Sequence, residues 1–520
     1  MYDIVIKNGT VVDGKNTKRF VADVGIKNGV IQAVGKRLSG KNEFGAEGLI
    51  VCPGFIDTHS HTDIVLVNSL KFESKLRQGV TTEVVGNCGF SIAPVINKSS
   101  FEAINQLVSG TVKKDQFRPN FKSTYPAMEK RGLINNIATF SGHGVLRAAV
   151  MGFDRRRPSY NELEKMKRLL RQALKEGAFG ISSGLIYPPG FYSETKELVE
   201  LAKVAADQGG FYVSHIRGES NTLLFAVKEA LDIGRLSGAN VHISHIKCMG
   251  HSAWNKSKKV ISMMEEALTQ GVRVTADQYP YTASATVLTA LLSSWTCEGG
   301  NVVKILADKK LRAKISAQMD KGEALINGVA PENVFISSCS NRSYEGRHIA
   351  EIANEKKLLP NETVFRIIEE DVKTNMVFHG IQEKDLLEFL KYKRVCIGTD
   401  GSAYNATGEH TDKPHPRNFG TFPRVLGHYV REKKVLSLEE AIYKMSYLPS
   451  LIMGIMDRGS IDEGKKADLV VFDQNRVKDT STFDAPFSYP KGIMQVFVNG
   501  KLAFNGKKVT GAYGEYLNRG

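Results

Sequence analysis

The sequence predicts an α/β protein built on a (β/α)8 TIM-type barrel, with a small β-sandwich formed by both chain termini and an inserted lid subdomain. Three observations carry this expectation. Between residues 51 and 455, short apolar strand-like runs alternate with amphipathic helical stretches, about eight units in succession. No glycine-rich phosphate loop follows an early strand, which favours a barrel over a doubly wound open sheet. The two ends of the chain share a different character, short strands punctuated by Asn-Gly pairs.

At the N-terminal end, Asp3-Ile-Val-Ile-Lys7 alternates, Asn8-Gly9 reads as a turn, and Thr10-Val-Val12 continues. Asn28-Gly29 is a second hairpin signal, because Asn-Gly readily supplies two positive-φ positions. This meander is too small to stand alone. Its expected complement is at the other end, in Asp468-Leu-Val-Val-Phe-Asp473 and in Gln495-Val-Phe-Val-Asn-Gly500 followed by Leu502-Ala-Phe504. The termini are therefore expected to pair, with residues 1–52 and 458–520 as one domain and 53–457 as the barrel. The stretch 49–56 reads as one buried strand interrupted by Pro53 and Gly54. Helices are predicted over 162–175, 193–208, 223–236, 260–270 and 436–445. Strands are predicted over 82–86, 134–140, 180–183, 210–214, 241–246, 272–277, 377–379 and 395–398. Residues 284–345 break the rhythm and read as the inserted subdomain.

Composition excludes several classes. With 42% hydrophobic and 24% charged residues the 520-residue chain reads as soluble and globular, long enough for a large domain with an appendage. No apolar run has the length of a membrane span, and the opening MYDIVIKNGT lacks the shape of a signal peptide. The net charge of +15 is dispersed, and its densest cluster, Lys256-Ser-Lys-Lys259, has little aromatic interleaving, so neither a nucleic-acid nor a membrane partner is expected. Cys52, Cys88, Cys248, Cys297, Cys339 and Cys396 show no CxxC and no disulfide spacing, which suits the cytoplasm.

The chemistry is expected where barrel strands end. His59 and His61, in Val51-Cys-Pro-Gly-Phe-Ile-Asp-Thr-His-Ser-His-Thr-Asp63, alternate on an extended backbone, so both imidazoles point to one side. Alone, such a pair is weak evidence for a metal site, because two polar residues at a strand end are often only solvated. Further polar residues stand at later predicted strand ends: Cys88, His143, His215, His245, Asp277 and Asp400. Imidazoles, a thiolate and a carboxylate are the ligand types of a zinc site that keeps one position open for water.

Pro53-Gly-Phe-Ile-Asp-Thr-His-Ser-His61 resembles the signature of the amidohydrolase superfamily. Gly86-Asn-Cys-Gly-Phe-Ser91, Ser214-His-Ile-Arg-Gly-Glu219, Ile243-Ser-His-Ile-Lys247 and Pro414-His-Pro-Arg-Asn-Phe-Gly-Thr-Phe-Pro-Arg-Val-Leu-Gly-His-Tyr429 are similar to the D-aminoacylase (N-acyl-D-amino-acid deacylase) family. The similarity spans nearly the whole chain, including Gly459-Ser-Ile-Asp-Glu-Gly-Lys-Lys-Ala-Asp-Leu-Val470, a run shared widely across the superfamily. No lysine stands where hydantoinase-like relatives carry a bridging carbamylated lysine. In D-aminoacylases a cysteine takes that place.

The resemblance implies a tight zinc on Cys88, His215 and His245, and a second, weaker metal position lined by His59, His61 and Asp400. A thiolate among imidazoles favours zinc over magnesium or calcium on chemical grounds as well. It implies Asp400 as the proton shuttle, taking a proton from water and passing it to the departing amide nitrogen. It also implies Lys247, Arg417, Tyr192 and Tyr279 as partners of the substrate carboxylate; the two tyrosines equally fit a packing role. A serine with that task in relatives falls at or beside Ala285, next to Ser284, and residues 402–413 form a longer stretch than in many relatives. His143 receives no role. The expected activity is zinc-dependent hydrolysis of N-acyl-D-amino acids to a carboxylate and a free D-amino acid. A D-dipeptidase or cyclic-amide hydrolase is the alternative. A non-catalytic assembly protein on the same fold would be marked by lost ligands, and all six are present.

Overall fold

Proline and glycine at 53 and 54 mark a crossing between two sheets rather than a flaw in one strand. In the computed structural model, which describes residues 1–67, 69–105, 117–293, 295–296, 302–324, 326–408 and 412–519, the expected single strand is two. Ile50–Pro53 belongs to the terminal sheet and Phe55–Asp57 opens the parallel one. A side chain at Gly54 would collide with Thr81, so the crossing needs glycine for close approach.

Both chain ends build one eight-stranded sheet. Its order runs from Lys501–Phe504 through Ile493–Val498, Leu469–Phe472, Ile50–Pro53 and Tyr2–Val11 to Phe20–Lys27 and Val30–Gly35, with Gly40–Gly45 beside Tyr2–Val11. The Asn-Gly pairs divide in role. Asn28 and Gly29 (φ 52° and 78°) turn the chain between Phe20–Lys27 and Val30–Gly35, and Asn499 and Gly500 (49° and 75°) do the same between the last two strands. Asn8-Gly9, expected as a turn, is instead a bulge inside Tyr2–Val11, where the register shifts between Ile6 and Gly9.

The parallel strands form two sheets, and no closed eight-stranded ring is formed among the described residues. Phe55–Asp57, Val80–Val85 and Asn136–Thr139 make a three-stranded sheet. Ser141–Gly142, Gly180–Gly184, Phe211–His215, Asn240–Ile243, Val274–Gln278 and Val395–Ile397 make a six-stranded one. At one seam only Phe140 separates the sheets, and Phe179 N donates to Thr139 O at 2.8 Å. At the other, Ser60 bridges Gly401 in parallel and Asp400 N donates to His59 O at 2.8 Å.

Helices pack between these strands. Tyr160–Lys175 starts at a capping box of Ser159 and Glu162 and buries Met166, Leu170, Ala173 and Leu174, a spacing that places them on one face. Burying a leucine there contributes about 2 kcal/mol. The remaining predicted helices are Thr195–Asp207, Leu223–Ser237, Ser257–Thr269 and Leu438–Met445.

One predicted strand changes partners. The run 377–379, expected among the parallel units, lies in Asn375–His379 at the centre of an antiparallel sheet between Ala283–Val287 and Val334–Ser338. An apolar run carries no record of its partner's direction, so the pattern alone could not separate the two cases. Among the described residues no helix is long and apolar enough to cross a membrane. Cys52, Cys88, Cys248, Cys339 and Cys396 are free and buried; Cys297 lies outside the described residues, as do parts of the stretches 284–345 and 402–413.

Candidate metal centre and active site

Six chemistry-bearing side chains meet at the carboxyl ends of the parallel strands. His59 and His61 follow Phe55–Asp57, Cys88 follows Val80–Val85, and His215 ends Phe211–His215. His245 lies two residues past Asn240–Ile243, and Asp400 three past Val395–Ile397. Cys88, His245 and Asp400 all have left-handed backbones, with φ of 53°, 34° and 50°. Non-glycine residues adopt that conformation at a cost, and such strain concentrates at functional sites. A side chain at Gly184 would strike the Cys88 carbonyl, so glycine there lets the cysteine loop lie against the neighbouring strand.

Cys88 Sγ is the hub. It lies 3.3 Å from His59 Nε2, 3.5 Å from His245 Nε2 and 3.7 Å from His215 Nδ1. Across the site Asp400 Oδ1 is 3.3 Å from His61 Nε2 and 3.5 Å from His59 Nε2. The donors fall into two overlapping groups sharing the sulfur: Cys88, His215 and His245, and His59, His61, Cys88 and Asp400. Burial alone would raise the Cys88 thiol, but the His59 charge and hydrogen bonds with His215, His245 and His59 bring it well below an ordinary thiol. Burial likewise opposes ionisation of Asp400, yet Arg417 and His245 hold its carboxyl well below the usual range.

Two carboxylates to which the sequence assigned no role, Asp277 at a predicted strand end and Glu219 in the run after His215, orient these groups. Asp277 Oδ2 lies 3.3 Å from His59 Nδ1 and 2.8 Å from His242 Nε2, while its Oδ1 accepts from His245 N at 2.8 Å. Glu219 Oε1 lies 3.1 Å from His245 Nδ1 and 2.5 Å from Lys247 Nζ. Carboxylates behind histidines fix the ring that faces a metal. Glu219 sits four residues after His215 in the same loop, and that proximity was the signal available for it. Below the site, buried Lys75 reaches Asp57 Oδ2 at 2.7 Å, Gly401 O at 2.9 Å and Thr399 Oγ1.

The site opens into a cavity of about 510 Å³ lined by His61, Cys88, His215, His245 and Asp400, and by Lys247, Tyr279, Ser284 and Arg417. Tyr279 and Ser284 share a hydrogen bond of 2.5 Å between their hydroxyls. Arg417 lies 4.9 Å from the Tyr279 ring centre and Lys247 5.6 Å, so both cations lie against one aromatic ring. Tyr192 does not share this placement. It ends the short helix Gly190–Tyr192, edge-on to Phe191, and it is Tyr187 that lines the cavity. His143 faces Glu197 at 2.8 Å within a buried trio that also includes Arg147.

Known proteins show the same arrangement of chain. An N-acyl-D-glutamate deacylase of Alcaligenes xylosoxydans xylosoxydans is 35% identical over 504 residues, covering 96% of this chain and 93% of that one. A D-aminoacylase from the same organism is 32% identical over 514 residues, 98% of this chain and 96% of that one. The crystal structure of N-acyl-D-glutamate deacylase from Bordetella bronchiseptica, complexed with zinc and a phosphonate inhibitor, superposes with a TM-score of 0.84 at 31% identity over the whole of both chains. Residues 50–503, from Ile50–Pro53 of the terminal sheet to that sheet's last strand, match the amidohydrolase family, and the chain belongs to that family.

Proposed function

We propose that this chain is a zinc-dependent hydrolase of the linear amide bond in N-acyl-D-amino acids, releasing a carboxylate and a free D-amino acid. The observation that carries the reading is the Cys88 sulfur with three imidazole nitrogens within 3.7 Å, facing Asp400 in a cavity that also holds Lys247 and Arg417.

The donor set suits zinc: a lowered-pKa thiolate and imidazoles are soft to borderline ligands, and histidines backed by Asp277 and Glu219 are held in a ligating orientation. Cys88, His215 and His245 would hold the tight ion, and His59, His61 and Asp400 a second, weaker position. Zinc, when bound, supplies Lewis-acid chemistry, polarising an amide carbonyl and bringing water towards ionisation near neutral pH.

The chain's own residues do the rest. Asp400, ionised and held beside His61, accepts a proton from the attacking water at its carboxylate. It returns that proton to the amide nitrogen, so the amine leaves neutral rather than as a strongly basic anion. Lys247 and Arg417 take the α-carboxylate, Arg417 through its planar fork, with Tyr279 and Ser284 beside them.

The two parallel sheets are proposed to work as one (β/α)8 barrel, supported by the Phe179–Thr139 hydrogen bond and the Ser60–Gly401 bridge at its seams. Residues 1–52 and 458–520 are proposed as a separate β-sandwich and 284–345 as an insertion over the cavity, which Ser284 to Val287 and Ser337 line. Free cysteines support a reducing cytoplasmic setting.

The test is amine release from matched N-acetyl-D- and N-acetyl-L-amino acids, with zinc measured on the same sample. D-selective release by zinc-loaded protein supports the reading. Zinc-loaded protein inert towards both series but active on D-dipeptides or cyclic amides would replace it.

A further inference from the structure

Cys88 belongs to both ligand groups, and its backbone is not one that a cysteine adopts freely. Gly86, Cys88 and Gly89 all have positive φ, at 74°, 53° and 80°. A turn of this shape has neither a ladder nor a helix to hold it, so a left-handed cysteine persists only where its surroundings fix it. Two hydrogen bonds lie within the segment itself: Asn87 Nδ2 donates to Val84 O at 2.9 Å, and Phe90 N donates to Asn87 O at 3.0 Å. Neither ties the sulfur to the other ligands. Val145 N reaches Gly89 O from outside, at 3.3 Å.

A tie to both sides of the cysteine comes from Ser182, in the strand Gly180–Gly184 of the six-stranded sheet. Its Oγ accepts from Gly89 N at 3.1 Å and donates to Gly86 O at 2.5 Å. The single hydroxyl proton and one lone pair are thus both committed to the turn. Ser182 is fully buried, so losing the hydroxyl would leave two backbone groups without this partner. Gly142 stands opposite Ser182 in the parallel register, and a side chain there would collide with Gly89 O. The turn therefore lies across Gly142 to reach the serine. The strand of Ser182 borders the one ending at His215, with Gly184 opposite His215. One hydroxyl in this way joins the cysteine, which follows a strand of the three-stranded sheet, to the sheet that carries His215 and leads to His245.

We propose that Ser182 is a positioning residue for the metal centre, its hydroxyl holding the Cys88 turn across the junction of the two parallel sheets so that the sulfur meets His215 and His245. This rests on the zinc reading above and adds to it a residue that acts only through Cys88.

The neighbouring serine supplies the control. Ser183 is equally buried on the same strand, but its side chain points to the opposite face, where its hydroxyl lies 2.9 Å from both Tyr212 Oη and Ser214 Oγ. The experiment measures zinc dissociation constants of full-length wild type, Ser182→Ala and Ser183→Ala by competition with a chelator. The sulfur-to-cobalt absorption of the cobalt-substituted wild type establishes that Cys88 is a ligand. Ser182→Ala is expected to weaken zinc binding by about 10- to 100-fold, the usual effect of removing a group that orients a ligand. Ser183→Ala should bind as wild type does. Zinc affinity in Ser182→Ala that matches wild type, or that falls no further than in Ser183→Ala, would overturn the assignment. A Ser182→Ala chain that cannot be recovered folded, beside a folded Ser183→Ala, would make the serine a structural element of its strand and overturn it too. A cobalt-substituted wild type without the sulfur absorption would instead overturn the metal reading itself, and the role of Ser182 with it.

Discussion

Arg417 Nη1 lies 2.8 Å from Asp400 Oδ2, so the cation expected to receive the substrate carboxylate also holds the carboxylate expected to move the proton. The pair is buried, with side-chain exposures of 8% and 12%, and water screens it little. Binding and proton transfer therefore share one guanidinium. Substitution at 417 should affect both.

Arg417→Met is expected to raise KM by about 10- to 100-fold, the loss of a charged hydrogen-bonded contact, and to lower kcat as well. Arg417→Lys keeps a charge but not the fork, and should fall between wild type and Arg417→Met. Separate kcat and KM values on N-acetyl-D-methionine check this. A pure KM effect would mean that the ion pair with Asp400 has no part in turnover.

Asp400→Asn preserves shape but cannot carry a proton. Turnover should drop by about 10²- to 10⁴-fold, the usual contribution of general acid–base catalysis. Zinc content should stay near wild type, because Cys88, His215 and His245 remain. Measuring both on one preparation separates loss of the shuttle from loss of the metal.

Lys75 ties the strand bearing His59 to the turn bearing Asp400, through Asp57, Thr399 and the Gly401 carbonyl. Lys75→Met leaves Asp57 buried without its cation and should cost about 3–5 kcal/mol of stability. Adding Asp57→Asn should recover part of that cost, since the two residues act as a pair. Urea unfolding of the single and double variants reads the coupling directly.

Lys444 anchors the start of Val395–Ile397, the strand that leads to Asp400, donating to the carbonyls of Tyr392 at 2.6 Å and Val395 at 2.9 Å. Burial pushes its ammonium down to about 8 from an ordinary 10.5. Below pH 8 both folded and unfolded chains hold the proton, and the burial cost is fully present. Between about 8 and 10.5 the folded chain releases it while the unfolded chain keeps it, so stability rises with pH. Relative to Lys444→Met, the wild type should gain up to about 1.4 kcal/mol per pH unit in that window, measured by denaturant unfolding.

Much of the site was legible because its ligands follow strands in compact motifs. His59-Ser-His61, the cysteine in Gly86-Asn-Cys-Gly and the Asp of Thr399-Asp-Gly401 each stand where a parallel strand ends, and the structure gathers them around one sulfur. What the sequence concealed was partnership across the chain. Nothing local distinguishes Asn8-Gly9 as a bulge from Asn28-Gly29 as a turn, since the same two residues satisfy both. The strand at Asn375–His379 was recognisable as a strand but not as antiparallel. Asp277 and Glu219 act through contacts that only the folded arrangement creates, and Tyr192 falls away from a cavity that Tyr187 lines.

Cys88→Ala gives the most direct test of the account, with zinc content and N-acetyl-D-methionine hydrolysis measured on the same folded sample. The sulfur is the one donor shared by both ligand groups, so tight zinc and activity should disappear together. A Cys88→Ala protein that retains its zinc and hydrolyses the substrate at a near wild-type rate would contradict the account.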